Sequence, residues 1–387
     1  MSLRWAVAAV GFAAAAHAAD GPAFNSLHSF NGGTDPSTGG AQPFAGLVRA
    51  PDGNFYGTSQ VGGSNDVGTV YRMTPDGTVT TVHSFGPTGG NTPVGNLTVG
   101  SDGALYGTTS AGGRCGFCGT VFKIDTEGRY SVVHGFSAAA EGATPSGGLL
   151  LANDGNFYGT LFYGGTNRNG ALFRMTPAGE VKVVHAFGAS AADGASPRAP
   201  VIQASDGKLY GTTALGGVFS AGTVYQVTPA GGGATVRILH SFDASDLDGY
   251  APVAALVQGS DGALYGNTSG GGIENVGTLY RISRQGAFRK LHTFSYATGA
   301  LPAAAMILGS DGALYGTTQS GGPAFSGTVF RFGTDGSYRM LHAFGGPDGS
   351  APSGPVLQVG ADSLIGTTTL GGDNSAGTIF GLSLSGR

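Results

Sequence analysis

Three sets of residues in this chain have types and spacings that could do chemistry. Cys115 and Cys118 stand in a CxxC spacing, which elsewhere serves thiol exchange or holds zinc. Seven histidines, His28, His83, His134, His185, His240, His292 and His342, recur at regular intervals and invite a metal reading. Asp246 and Asp248, within DASDLDG, look like a fragment of a calcium loop. No GxSxG, HExxH or Walker motif accompanies them. Whether any set is a site depends on what holds it in place.

The elements that must hold them are repeated. YGT occurs at Tyr56, Tyr106, Tyr158, Tyr210, Tyr265 (as YGN) and Tyr315, and a seventh copy has Ile365 in the tyrosine place. GTVF or a close variant begins at Gly68, Gly119, Gly170, Gly222, Gly277, Gly327 and Gly377. VHxF or LHxF carries the seven histidines, and GxxP begins at Gly40, Gly90, Gly142, Gly194, Gly249, Gly299 and Gly349. Four markers agree on seven copies of a unit of roughly 50 residues, a period typical of one supersecondary unit per repeat.

One unit reads as four short strands: 94–99 (A), 104–109 (B), 119–124 (C) and 130–136 (D). Ser101-Asp102-Gly103 and Thr126-Glu127-Gly128 supply the hairpin turns. Seven such units in tandem predict an all-β, seven-bladed β-propeller. The composition agrees, with 74 of 387 residues glycine and only 11% charged, while apolar residues recur at fixed places. The ends are out of phase in a way that suits a closed ring. A lone D strand, FNSLHSF at 24–30, opens the repeats, and the last unit ends on a C strand at 377–384. Pairing the two completes the seventh blade, whereas an open array leaves unpaired edges.

The combined pattern, GxxP followed by DGxLYGTTxxGG, GTVFRxTPDG and LHSF, resembles the GloVer tandem repeat of exported bacterial proteins. The resemblance covers nearly all of the chain beyond residue 18. It implies an exported, propeller-like repeat protein with no established activity. Members of that group often end in an anchoring or sorting segment. This chain stops at Ser385-Gly386-Arg387 without one, so a free periplasmic or secreted protein is expected.

Residues present in every copy answer a need of every blade and are expected to be structural. Strand D should lie about 14 Å further out than strand A, at a strand spacing of about 4.8 Å. Histidines of different blades then cannot meet on one ion, and a structural, hydrogen-bonded role is expected for them. The SDG aspartates are expected to form turns. The glycine after each tyrosine should let a neighbouring strand approach, and the tyrosine and the GTVF aromatic should pack between blades. The Asp246–Asp248 fragment lacks the later bidentate glutamate of a calcium loop. Cys115 and Cys118 fall in the one B–C loop that is a residue longer than the others, with no helix nearby to stabilise a thiolate. A local disulfide bracing that loop is expected, with no metal and no cofactor.

The A–B and C–D turns share one end of the ring and are alike; the B–C and D–A loops share the other end and diverge. The seven B–C inserts read SNDV, RCGFC, TNRN, VFSA, IENV, PAFS and DNSA. A rigid ring with variable loops at one end is a common binding arrangement. Candidate ligand-binding residues are Arg114, Phe117, Asn167, Arg168, Phe219, Glu274 and Phe325 from B–C loops, with Tyr250 and Tyr296 from D–A loops. No acid–base pair stands out, so no catalytic residue is assigned. A non-catalytic protein that binds a protein or glycan ligand through this face is expected. The alternative, a polysaccharide lyase or glycoside hydrolase, would need Arg114, Arg168, Arg198 or Glu274 to converge near the central channel.

Residues 1–18 read as a secretory signal peptide. MSLR is followed by the apolar run WAVAAVGFAAAA and a small-x-small site at Ala16-His17-Ala18, too short to span a membrane. It carries the only tryptophan, Trp5, which tilts the expected ligand away from stacked sugars and towards protein or cell-envelope partners. Residues 19–387 read as one domain without a membrane span, monomeric and exported to the periplasm or beyond, where a disulfide can persist. A net charge of −4 with no run of Lys or Arg disfavours nucleic acid and anionic membranes as partners.

Overall fold

The computed structural model describes residues 22–33, 40–138, 141–230, 233–245 and 248–384. The expected signal peptide and Asp246 lie outside the described residues. The described chain is all-β, with seven antiparallel four-stranded sheets set in a ring as a seven-bladed β-propeller. Blade 1 is typical, with strand A at Val48–Arg49, B at Phe55–Ser59, C at Thr69–Met73 and D at Val79–Ser84, in that order across the sheet. Blade 7 takes strands A to C from Leu357–Val359, Ser363–Thr368 and Thr378–Ser383. Its strand D is Ala23–Ser29, paired in register from Ala23↔Ser383 to Ser29↔Thr378. The two ends of the described chain therefore meet edge to edge and close the ring.

Buried apolar residues do not gather at a centre; they fill seven seams, one between each pair of blades. Tyr56, Val70 and Phe85 of blade 1 pack with Leu97, Leu105 and Phe122 of blade 2. Phe30, Ile365 and Ile379 of blade 7 pack in the same way with Phe55, Tyr71 and Met73 of blade 1. The YGT glycine has a different task from the one its sequence suggests. A Cβ on Gly57 would lie 2.4 Å from the Tyr71 hydroxyl oxygen, and one on Gly107 2.4 Å from Phe122 Cζ. The glycine makes room for the strand C ring of its own blade, and no neighbouring backbone fills the space.

Strand A also departs from the continuous 94–99 reading. In blade 2, Asn91–Pro93 pairs with the far end of strand B and Thr98–Val99 with its near end. The GxxP motif causes the break. The residue before the proline has a positive φ in all seven copies, from 52° to 60°: Gln42, Thr92, Thr144, Ser196, Ala251, Leu301 and Ala351. That conformation is unfavourable for a residue that precedes proline. The compensation crosses the seam: the N–H of the strained residue donates to a B–C loop carbonyl of the preceding blade, Thr92 to Val67 at 2.9 Å and Gln42 to Ala376 at 2.8 Å. The proline then lies on the first glycine of the preceding GTVF. A Cβ on Gly68 would be 2.7 Å from Pro93 Cδ, and one on Gly377 2.7 Å from Pro43 Cδ. GxxP is an inter-blade latch, and blade 1 latches onto blade 7 as other blades latch onto their predecessors.

The two hydroxyls of YGTT divide the same labour. The second stays within its blade, as Thr109 bonds Thr120 at 2.9 Å. The first donates across the seam to the next blade, Thr108 to the Gly147 carbonyl at 2.8 Å and Thr367 to the Ala45 carbonyl at 2.9 Å.

Candidate functional site

The B–C loops are fixed by their own backbones. The Asp66 N–H donates to the Gly63 carbonyl, that of Arg168 to Gly165 and that of Phe325 to Gly322, each donor residue holding a positive φ. With the latch bonds above, these turns use the loop's polar backbone groups and leave large apolar side chains at several loop tips facing out. Phe117, Phe219, Ile273 and Phe325 are 69, 60, 85 and 62% exposed at the tips of four blades. The disulfide Cys115–Cys118 spans the second loop, with Cys118 buried and Phe117 outside it.

Three of the sequence-predicted residues meet. Glu274 Oε2 accepts the Tyr296 backbone N–H at 2.7 Å, and the Tyr296 carbonyl accepts the Gly322 N–H at 2.8 Å. The Tyr296 and Phe325 rings are 6.2 Å apart, so blades 5 and 6 share one exposed patch. The other candidates lie on their own blades. Asn167 Nδ2 donates to the Ala186 carbonyl at 3.1 Å, and the Arg114 stem runs beside Gly135. Arg168 occupies its positive-φ turn position at a loop tip. Tyr250 lies flat over Gly270, where a Cβ would be 2.2 Å from its ring, and is half-buried.

On the axis, all seven blades contribute to a cavity of about 450 Å³. Arg198 is the one charged side chain among its described lining residues, its guanidinium 4.5 Å from the centre of the Phe162 ring. Arg114, Arg168 and Glu274 do not line it.

The histidines have partners that sequence reasoning missed. His134, His185, His240 and His342 face an acid placed directly before GxxP: Glu141 at 3.2 Å, Asp193 at 3.1 Å, Asp248 at 2.7 Å and Asp348 at 2.8 Å. Asp193 also accepts the N–H groups of Gly188, Ala189 and Gly194. Burial works to raise its carboxyl, but His185 and these N–H groups outweigh burial and hold it below the usual carboxylate range. Where Gly89 or Thr298 replaces the acid, a tyrosine of the next blade stacks on the histidine, Tyr130 on His83 at 3.9 Å and Tyr338 on His292 at 4.2 Å. Each tyrosine hydroxyl donates to the carbonyl of the replacing residue. Burial lowers both histidines, His292 to about 4. The signal was present in the sequence as an acid one residue before four of the GxxP motifs. Among the described residues no group of three or more His, Cys, Asp or Glu side chains could hold a metal.

A closed ring of repeated blades with divergent loops at one end defines a repeat propeller. The chain belongs to the Gloeobacter/Verrucomicrobia repeat family, whose model matches residues 16–205, 118–322 and 291–387. Comparison with curated proteins gives no match. Two solved structures similar to the chain are extracellular domains of B. thetaiotaomicron proteins named as hybrid two-component systems. One has a TM-score of 0.59 at 10% identity over 92% of this chain and 39% of that chain. The other has a TM-score of 0.58 at 12% identity over 89% and 40%. A protein from Bacteroides uniformis named as a 6-phosphogluconolactonase has a TM-score of 0.52 at 18% identity over 76% and 83%. At these identities the likeness is one of fold. Among the described residues no helix is long and apolar enough to cross a membrane.

Proposed function

We propose that this protein is an exported, non-catalytic binding protein that docks a protein partner on its B–C/D–A face. The observation that carries the reading is the set of five large apolar side chains, Phe117, Val218, Phe219, Ile273 and Phe325, each at least 60% exposed on a loop held by its own hydrogen bonds. Apolar side chains held out in this way favour association with another apolar surface, and rigid loops lose little entropy on binding. Glu274 and Tyr296 add a polar margin to the patch at blades 5 and 6. Of the unrepeated charges that an enzyme would use, Glu274 is engaged by a backbone N–H and Arg198 by a ring, and only Arg198 lines the axial cavity, which supports binding over catalysis.

The test is site-specific photocrosslinking in cells that export the chain. A crosslinker at Phe325 is expected to capture one protein, and a crosslinker at Gly336, on the opposite end, none. Replacing Phe117, Phe219 and Ile273 together by Ser should abolish the adduct. Binding on a glycan array without any protein adduct, or cleavage of a polysaccharide, would overturn the reading. N-terminal sequencing of the exported protein is expected to start at Ala19.

A further inference from the structure

The end of the ring that carries the A–B and C–D turns holds a cavity that sevenfold repetition does not predict. It measures about 510 Å³ and lies in the seam between blades 5 and 6. Small-molecule sites span roughly 300–1,000 Å³. One wall is a row across blade 5, Tyr265, Arg281 and Arg289, which are cross-strand partners in register and so share one face of the sheet. The opposite wall is Leu314, Phe332 and the turn at 333–336 of blade 6.

Three other seams fill the corresponding place. Between blades 7 and 1 the cavity shrinks to about 10 Å³. The row there reads Ile365, Gly381 and Asn25, with Val359 in place of Gly259 and Pro75 in place of Thr334. Between blades 6 and 7, Leu384 occupies the Thr334 position and is buried with Tyr315. Between blades 4 and 5 the position is Arg284, whose Nη1 reaches Asp206 at 3.4 Å. Blade 6 instead has the exposed Thr334, preceded by Gly333 where the other blades have Thr, Ser or Asp. Tyr265 is left half-buried, while Tyr56, Tyr106, Tyr158, Tyr210 and Tyr315 are buried.

The charges in the cavity are unevenly committed. Asp261 Oδ2 accepts Nε and Nη2 of Arg281 at 2.9 and 2.7 Å, and the Tyr265 hydroxyl at 3.1 Å. Asp335 turns Oδ1 onto the Ser337 N–H and hydroxyl at 3.0 and 2.6 Å. Arg289 is exposed and has no ion pair among the described residues. An uncommitted guanidinium fork beside an aromatic ring and an apolar wall suits a carboxylate on an apolar body, because the fork takes both carboxylate oxygens at once.

We propose that this seam binds a small organic acid, its carboxylate on Arg289 and its apolar body against Tyr265, Leu314 and Phe332. A free acid and the last residue of a peptide share that chemistry. The site lies on the opposite end from the partner face and does not depend on it.

The test is calorimetric titration of the mature protein with 3-phenylpropionate, its primary amide and the peptide Gly-Gly-Phe. The acid is expected to bind at one site and the amide at least tenfold more weakly. Arg289→Gln should weaken binding of the acid at least tenfold, Arg289→Lys should weaken it less, and Thr334→Leu should abolish it by filling the cavity as Leu384 does. Gly-Gly-Phe binding as tightly as the free acid would assign the site to peptide ends, and weaker binding would assign it to free acids. Equal affinity for acid and amide, unchanged affinity in Arg289→Gln, or no binding of either acid at millimolar concentration would each overturn the proposal. The acid–amide comparison uses the unaltered protein, so it stands even where a variant fails to fold.

Discussion

His240 Nε2 lies 2.7 Å from Asp248 Oδ1, and the same carboxylate accepts the Asp243 backbone N–H at 2.9 Å through its other oxygen. One acid thus ties the end of strand D to the loop that leaves it. Because the loop then runs into the strained GxxP latch, the pair bears on the seam with the next blade. A repeated histidine that looks like a metal ligand is here a loop anchor, as it is in the three other blades that place an acid before GxxP.

The anchor in blade 3 can be tested through Asp193. Asp193→Ala leaves the Gly188, Ala189 and Gly194 N–H groups and His185 without their acceptor at a buried site. A cost of about 2–3 kcal/mol at pH 7 is expected, typical of removing a buried acceptor. The carboxyl is held below its usual value in the folded state. Its contribution is therefore present above the unfolded value near 4 and is lost as pH falls through the lower folded value. Thermal denaturation of both proteins between pH 7 and 2.5 should show a gap that narrows at the acid end. A constant gap would mean that ionisation of Asp193 contributes nothing.

His292 gives the opposite kind of test, because it has no acid beside it in the GxxP position. Burial lowers it to about 4. The unfolded chain therefore binds more protons than the folded chain between about pH 6.5 and 4, and stability falls as pH drops through that window. His292→Gln keeps a polar side chain under Tyr338 and removes the titration. The variant is expected to be less stable than the parent at pH 7.5 and to lose less stability on going to pH 4.5. Parallel melting curves at both pH values would contradict this.

The architecture was legible because seven copies display the same solution side by side. The strand pairing of 24–30 with 377–384 followed from a phase mismatch between the ends and needed no packing detail. Contacts between copies were not legible. Nothing in the motif GxxP says that its third residue takes a positive φ, since that conformation is locally unfavourable and is held by hydrogen bonds that form only on folding, one of them to a carbonyl of the preceding blade. The YGT glycine misled for a related reason, because the ring that needs its space arrives from strand C through pairing. The cavity between blades 5 and 6 depends on small residues at Gly259, Gly333 and Thr334, which attract no notice among many glycines. Variable loops were easier to find than to combine: Glu274, Tyr296 and Phe325 meet across two blades while Tyr250 folds inward.

The latch between the first and last blades can be separated from ordinary glycine strain. Gly377 and Gly53 both have positive φ, 99° and 85°. A Cβ on Gly377 would lie 2.4 Å from the Thr368 carbonyl oxygen and 2.7 Å from Pro43 Cδ, whereas one on Gly53 meets nothing within 4 Å. Gly53→Ala should cost only the left-handed backbone, about 1–2 kcal/mol. Gly377→Ala should cost at least about twice that, since the clash is with backbone and a proline ring that cannot move aside. Equal losses in chemical denaturation would show that the Pro43 contact yields easily.

Ring closure itself is tested by starting the chain at Asn31. This removes the Ala23–Ser29 strand, its register with 378–383, and the bond from the Phe30 N–H to the Gly377 carbonyl. It also removes fully buried Phe30 from the seam with blade 1 and lifts Phe24 from His342, on which it stacks at 3.9 Å. Burial of one phenylalanine is worth about 2–3 kcal/mol. The truncation also exposes Ile379 and Phe380 along an open strand edge, a surface prone to pairing with another chain. The shortened protein is expected to melt roughly 5 °C or more below the parent, as a loss of several kcal/mol would require in a domain of this length, and to self-associate in size-exclusion chromatography. A synthetic FNSLHSF peptide should raise the melting temperature progressively, with the logarithm of its concentration at high excess, because it can re-add the missing strand. A scrambled peptide should not. An unchanged melting temperature and a monomeric elution volume after truncation would mean that the seam latches alone hold the wheel shut, and that the shared seventh blade adds nothing to its stability.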